Sequence, residues 1–286
     1  MPNQVLTSFR SPLAEGPLWH PDHQKVYWVD ILGGIVYSHD PATGESELVH
    51  QGSQVGGFTI QDDGALLLFR AKGAIELLTP DGVVVLYEGL DDEGETRFND
   101  VSADPRGRVF CGTMPAPHRK GRLYRLDPDG SIRIVAEEVG CSNGMGWTAD
   151  EKTMFHTDSG DATIYAWDYD VETGEISNRR TFYKRESVGG PDGMVVDSED
   201  CVWTALWGGR CVVRLSPSGD VLEEIPIPAV KITCPAFGGP DYADFYVTAA
   251  GGDEEGEGEG AGELIKVKVN AKGKPEYRSK VKVARS

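Results

Sequence analysis

GPLWHPDHQKVYWVDILGGIVYSHDPATGESELV, residues 16–49, reads as strand, turn, strand, loop, strand, turn, strand. GGFTIQDDGALLLFRAKGAIELLTPDGVVVLY, residues 56–87, repeats that grammar. So do NDVSADPRGRVFCGTM with GRLYRLDPDGSIRIV (99–114 and 121–135), residues 143–182 and residues 192–225. CPAFGGPDYADFYVTAA (234–250) with GELIKVKVNAKGKPEYRS (262–279) completes the set. Equivalent points fall at 15, 56, 99, 143, 192 and 233, so the period is 41 to 49 residues, within or near the range of propeller blades.

The second strand of each copy (VYWVD, LLLFR, VFCGT, MFHTD, VWTAL, FYVTA) is rich in aromatic and β-branched residues, as half-buried strands are. No helical periodicity longer than a couple of turns competes. The pattern predicts an all-β, six-bladed β-propeller with four-stranded blades, forming a single domain over residues 1–286. An isolated blade leaves exposed edges and too little core, so the ring must close on itself. NQVLTSF at the N-terminus is the strand expected to close the last blade. The Gly-His and Trp-Asp signatures of WD repeats are absent, and kelch repeats run longer.

Composition agrees with a packed globule: 39% of the residues are hydrophobic, which excludes wholesale disorder. The net charge of −18 argues against a nucleic-acid surface, and no apolar run approaches a membrane span. MPNQVLTSFRSPL has neither the charged nor the apolar region of a secretory signal, so a cytoplasmic location is expected. Oligomeric state is not readable. Cys111, Cys141, Cys201, Cys211 and Cys234 form no CxxC pair, and four of them lie in or beside strand-like runs as small buried side chains. The acidic Gly/Glu-rich stretch at about 251–263 fails both nucleotide-loop and EF-hand spacing and reads as a solvated, mobile loop.

The first strand of each blade lies nearest the propeller axis, so the slot at its start surrounds one end of the central channel. That slot holds Glu15-Gly, Gly56-Gly, Asn99-Asp, Asn143-Gly, Asp192-Gly and Thr233-Cys. Asn-Gly and Asp-Gly are also strong turn signals. The clear turns of this chain, such as Asp63-Gly64 and Asp129-Gly130, lie between strands of one blade, whereas Asn143 and Asp192 follow a crossing between blades. Position alone leaves a shared site and turn chemistry both open. Glu15, Asn143 and Asp192 together would be a hard oxygen donor set, suited to Ca²⁺, Mg²⁺ or Mn²⁺ and leaving coordination positions open. His118 follows the third copy's second strand on a loop and is a candidate for substrate contact. His156, inside a strand, reads as structural.

AEGPLW, TRFNDVSADPRGRVFCGTM, SNGMGW with TDSGDATIYAWDYD, GGPDGMVVD, and CPAFGGPDY with FYVTAA occur in an order and spacing that together are highly specific. By these motifs the whole chain resembles the regucalcin (senescence marker protein-30), gluconolactonase and luciferin-regenerating enzyme family. The resemblance implies a six-bladed propeller with one divalent cation at the channel mouth, calcium first, with magnesium, manganese, zinc or iron(II) as alternatives. It assigns Glu15, Asn143 and Asp192 as metal ligands, Asn99 and Arg97 to the substrate, and Asp192 also as proton acceptor and donor. The implied reaction is hydrolysis of a small-molecule sugar lactone to its aldonic acid. The acid that many members carry after the GTM motif is missing from Met114-Pro-Ala-Pro-His118, which touches the choice of sugar more than the chemistry. The rival readings are a hydrolase of other esters or organophosphates on the same site, and a non-catalytic calcium-binding propeller. If Asn143 is a ligand, Asn143→Leu weakens cation binding more than it perturbs the fold, which a cation titration run beside a melting curve checks.

Overall fold

The computed structural model describes residues 3–251 and 256–283. Four antiparallel sheets of four strands follow the sequence in order. The first holds β2 (Ala14–His20), β3 (Lys25–Asp30), β4 (Ile35–Asp40) and β5 (Glu45–Gln51), after a short β1 (Asn3–Val5). The second holds β6 (Val55–Ile60), β7 (Leu66–Arg70), β8 (Ile75–Thr79) and β9 (Gly82–Tyr87). The third holds β10 (Phe98–Ala103), β11 (Val109–Thr113), β12 (Gly121–Leu126) and β13 (Ile132–Val139). The fourth holds β14 (Ser142–Trp147), β15 (Thr153–Asp158), β16 (Thr163–Tyr169) and β17 (Ile176–Lys184).

The remaining strands share one eight-stranded sheet: β18 (Gly190–Val196), β19 (Val202–Trp207), β20 (Cys211–Leu215), β21 (Val221–Pro226), β22 (Lys231–Gly238), β23 (Asp244–Ala250), β24 (Leu264–Val267) and β1. The fold is all-β and propeller-like. Six separate sheets were expected and five are found, because the end of β19 meets the start of β22 at the single pair Trp207–Lys231. β1 runs antiparallel to β24, with Asn3 opposite Val267 and Val5 opposite Ile265, the role expected of the N-terminal strand.

Burial falls from the innermost strand outward. β6 and β14 are buried at every position, while outermost β5 and β21 are mostly exposed and β9 buries no residue. The core lies between neighbouring sheets. Phe69 and Phe98 meet edge-on across the second and third sheets, and Phe155, Met194 and Val213 pack between the fourth and fifth. Truncating one such phenylalanine to alanine typically costs about 3–5 kcal/mol.

β2, β6, β10, β14, β18 and β22 all contribute to one small axial cavity. They crowd closely enough that a Cβ on Gly144 would collide with the Met194 amide nitrogen of β18. Each of these six strands also breaks register at the same place: between Glu15 and Leu18, Val55 and Gly57, Phe98 and Val101, Ser142 and Met145, Pro191 and Met194, and Ile232 and Cys234. Bulges of this kind re-aim side chains at the rim of a sheet.

Two sequence expectations are corrected. Residues 256–263 of the acidic stretch are only partly solvated: Gly256, Gly258 and Glu259 are exposed, but Glu257 is buried and pairs with Lys231 at 2.9 Å, and Ala261 lies in the core. Residues 252–255 of that stretch lie outside the described residues. The chain after β24 does not continue the last sheet, whose edge β1 occupies. It crosses the ends of the inner strands remote from Glu15, Asn143 and Asp192. Lys274 Nζ donates to the Trp147 carbonyl at 2.7 Å, the Ser279 amide donates to Ile60 O at 2.9 Å, and Val281 is buried. Among the described residues no helix is long and apolar enough to cross a membrane.

Glu276, in this crossing segment, lines the axial cavity. The residue is only partly buried, but its carboxyl end is packed among protein atoms, and desolvation pushes it up to about 7 against the opposing pull of Lys274. A raised carboxyl contributes stability that is complete below its ordinary value of 4.5 and is lost as pH climbs through about 7. Glu276→Gln therefore flattens the fall in melting temperature over that window and melts above wild type at pH 8. Superimposable melting-temperature profiles would refute the assignment.

Candidate functional site

A cavity of about 470 Å³ opens where the inner strands begin. Its polar wall is Glu15 from β2, Arg97 just before β10, Asn99 from β10, Asn143 from β14, Ser159 and Asp192 from β18; Leu13, Ile31, Met114, Cys141 and Trp207 form the apolar remainder. Five of the six residues singled out from sequence thus meet on one surface. His118 does not: it is exposed on the turn closed by the Ala116–Arg119 bridge, outside the cavity lining. Met114, at the start of that loop, lines the wall instead.

The bulges explain how consecutive residues serve the site. Asn143-Gly144 is not a turn but the irregular step inside β14. Gly16 takes φ +55° in the matching step of β2, a conformation most residues avoid. The Glu15 Oε2 accepts from the Gly16 amide at 2.8 Å.

A hydrogen-bond chain runs along the polar wall. Arg97 Nη1 donates to Phe98 O at 3.0 Å and to Asn99 Oδ1 at 2.6 Å. Asn99 Nδ2 donates to Ser142 O at 2.8 Å and to Asn143 Oδ1 at 2.6 Å. Asn143 Nδ2 donates to Ser159 Oγ at 2.7 Å, and Ser159 Oγ donates to Pro191 O at 2.5 Å.

Sequence reading missed Asp100, Cys141, Ser159 and Cys234. Asp100 is 9% exposed, lines the axial cavity directly beneath the site, and makes no hydrogen bond among the described residues. Its carboxyl, that of Glu15 and the Cys234 thiol have ligand atoms within 4.8 Å of one another. The Asn99-Asp100 pair was visible as the third slot, but strict alternation would have turned Asp100 away. Cys141 is the cysteine outside the strand-like runs, and it alone of the five is not fully buried. Ser159 follows Asp158, whose carboxylate accepts from the amides of Gly140, Cys141 and Gly160 at 2.8–3.0 Å and so fixes the local turn.

Electrostatically the site is overloaded. Glu15, Asp100 and Asp192 are buried together, and Arg97 is the cation acting on them. Were all three ionised, the one guanidinium would leave two negative charges uncompensated. Burial first, and then mutual repulsion, raise Glu15 and Asp192 well above the usual carboxylate range; burial pushes Asp100 up to about 7. Desolvation lowers Arg97, and burial with the neighbouring Asp192 drives the Cys141 thiol up to about 12, so it stays protonated. Asp192 accepts no hydrogen bond among the described residues. Buried carboxylates without donors are costly unless a cation answers them. The oxygens of Glu15, Asn143 and Asp192 fit a hard divalent cation, and Asp100 adds charge beneath it.

Fold and cavity together define a propeller-like protein with an acidic oxygen-donor pocket at one end of its axis. The chain belongs to the SMP-30/gluconolactonase/LRE-like family, whose model matches residues 13–251. It is 44% identical over 284 residues to the pentonolactonase XacC of Haloferax volcanii, spanning 95% of this chain and 96% of that protein. It is 36% identical to the regucalcin of Gallus gallus over 259 residues, 86% of each chain. A solved luciferin-regenerating enzyme superposes with a TM-score of 0.89 at 25% identity, covering 98% of this chain and 99% of that one.

A divalent ion that binds the folded site stabilises it, and protons compete for the same carboxylates. With ion at about a hundred times its Kd, the melting temperature rises by roughly 4–5 °C. The gain is larger at pH 8 than at pH 5 and is erased by chelator. An equal gain at both pH values would contradict the carboxylate assignment.

Proposed function

We propose that the protein is a cation-dependent lactonase that opens a sugar lactone to its aldonic acid, a five-carbon aldonolactone being the first candidate. Three buried carboxylates without adequate donors, set beside the oriented amides of Asn99 and Asn143, carry the reading. The pentonolactonase relative, 44% identical over nearly the whole chain, supports the substrate class. In the same reading residues 1–286 form one six-bladed propeller, the eight-stranded sheet being two blades that touch at Trp207 and Lys231. The convergence of six inner strands on one axial cavity supports that count.

Glu15, Asn143 and Asp192 are the residues that hold the ion. Bound there, a divalent cation supplies Lewis-acid polarisation of an ester carbonyl. Asp192 takes a proton from the attacking water as the new carbon–oxygen bond forms, and returns it to the ring oxygen as the lactone bond breaks. No net proton is consumed in that exchange, and the product is the open hydroxy acid. Arg97 commits Nη1 to Phe98 O and Asn99 Oδ1, leaving the rest of its fork for substrate hydroxyls. Leu13, Ile31, Met114 and Trp207 give the C–H face of the sugar an apolar wall.

Asp192→Asn keeps one oxygen toward the ion and removes the base. Turnover of arabinono- and xylono-lactone should fall about 10²–10⁴-fold, while ion binding, followed by calorimetry, persists in weakened form. Wild-type turnover in the ion-loaded variant would overturn the role of Asp192. Background rates of the wild type on pentono- and hexono-lactones alike, with activity on phosphotriesters, would move the reading to the rival hydrolase.

A further inference from the structure

We propose that Ser159 is a positioning residue that, with Arg97 and Asn99 at the other end of the hydrogen-bond chain, holds the Asn143 amide so that its oxygen end is the one left for a ligand. The inference rests on the reading of Asn143 as a cation ligand, and only the oxygen end of an amide can serve.

Hydrogen-bond polarity makes the argument. The Pro191 carbonyl can only accept, so the single hydroxyl proton of Ser159 is spent on it, at 2.5 Å. Ser159 Oγ can then only accept from Asn143, and Asn143 must present its NH₂, at 2.7 Å. Its Oδ1 is thereby turned away from Ser159, toward Asn99.

The other end of the chain reaches the same answer independently. Arg97 can only donate, so Asn99 must show it Oδ1, at 2.6 Å. The Asn99 NH₂ is left for the Ser142 carbonyl and for Asn143 Oδ1. Two groups of fixed polarity, a guanidinium and a peptide carbonyl, thus bracket two amides and leave one self-consistent orientation. One lone pair of Asn143 Oδ1 accepts from Asn99, and the other remains for an ion.

Ser159 also joins two ligand-bearing strands. It accepts from Asn143 on β14 and donates to the carbonyl of the residue immediately before Asp192 on β18. Its own place is held by Asp158, which ties the turn Ser159–Asp161 to the amides of Gly140 and Cys141 ahead of β14. The hydroxyl therefore sets both the direction of one donor and the backbone approach of the other.

The test compares the full-length wild type with Ser159→Ala, Ser159→Cys and Ser159→Thr, using calorimetric titration with Ca²⁺ and Mn²⁺. Loss of one such hydrogen bond is expected to raise the ion Kd roughly 3- to 10-fold in the Ala and Cys variants. Thr, which keeps the hydroxyl, is expected to restore wild-type affinity. The lactonase kcat of the Ala variant should recover toward wild type at saturating ion, a response that a merely structural defect would not give. If Ser159→Ala fails to fold, the near-isosteric Cys variant carries the comparison. Wild-type ion affinity in a folded Ala or Cys variant would overturn the role of Ser159. No ion binding by the wild type would instead overturn the functional reading on which it rests.

Discussion

Six strands cannot approach one axis with a full complement of side chains, and this crowding governs the rest of the molecule. Where β14 passes β18, a single methyl on Gly144 would strike the Met194 backbone. Each inner strand relieves the crowding by breaking register at its first residues, so six irregular steps form a ring. A regular strand sends neighbouring side chains to opposite faces. A bulged one can send neighbours to different levels of the same axis: Asn99 lines the open cavity, while Asp100 lines the space beneath it.

That geometry also explains the charge. Outside the ring a carboxylate would find water, but here Glu15, Asp100 and Asp192 face inward, where Arg97 is the one cation acting on them and few donors reach their oxygens. Other buried acids of the protein are answered locally. Asp104 receives Arg108 and the Tyr169 hydroxyl, and Asp197 receives Arg214 and the Trp203 ring NH. The axial acids differ in having almost no donors, and this contrast within one chain marks them as placed for a ligand rather than for the core.

The all-β, propeller-like class was legible in sequence because each repeat carries its own turns and its own half-buried strand. The slot at 15, 99, 143 and 192 was legible because each of these residues stands at the start of the first strand of its repeat, whatever the spacing between repeats. Asp100 was hidden because alternation assigns it to the opposite face from Asn99, and only the register break overrules that. Ser159 was hidden because its partners are Asn143 and Pro191, 16 and 32 residues away, brought together by a capped turn rather than by repeat position. His118 was over-read from proximity along the chain: its loop turns back on itself at Ala116 and Arg119. The acidic stretch misled by composition, since Glu257 finds Lys231 and Ala261 finds the core.

The segment after β24 gives the ring an asymmetry that repetition alone would not. Had residues 268–283 extended the last sheet, the edge taken by β1 would have been contested and both ends of the axis would have been alike. β1 holds that edge, and the segment crosses the end remote from the site, bonding to the Trp147, Ile60 and Gly107 carbonyls in turn. These contacts tie strands from separate sheets together at the end where no ligand is proposed. Buried carboxylates short of donors cost stability, while the pairing of β1 and the hydrogen bonds of the crossing segment contribute to it.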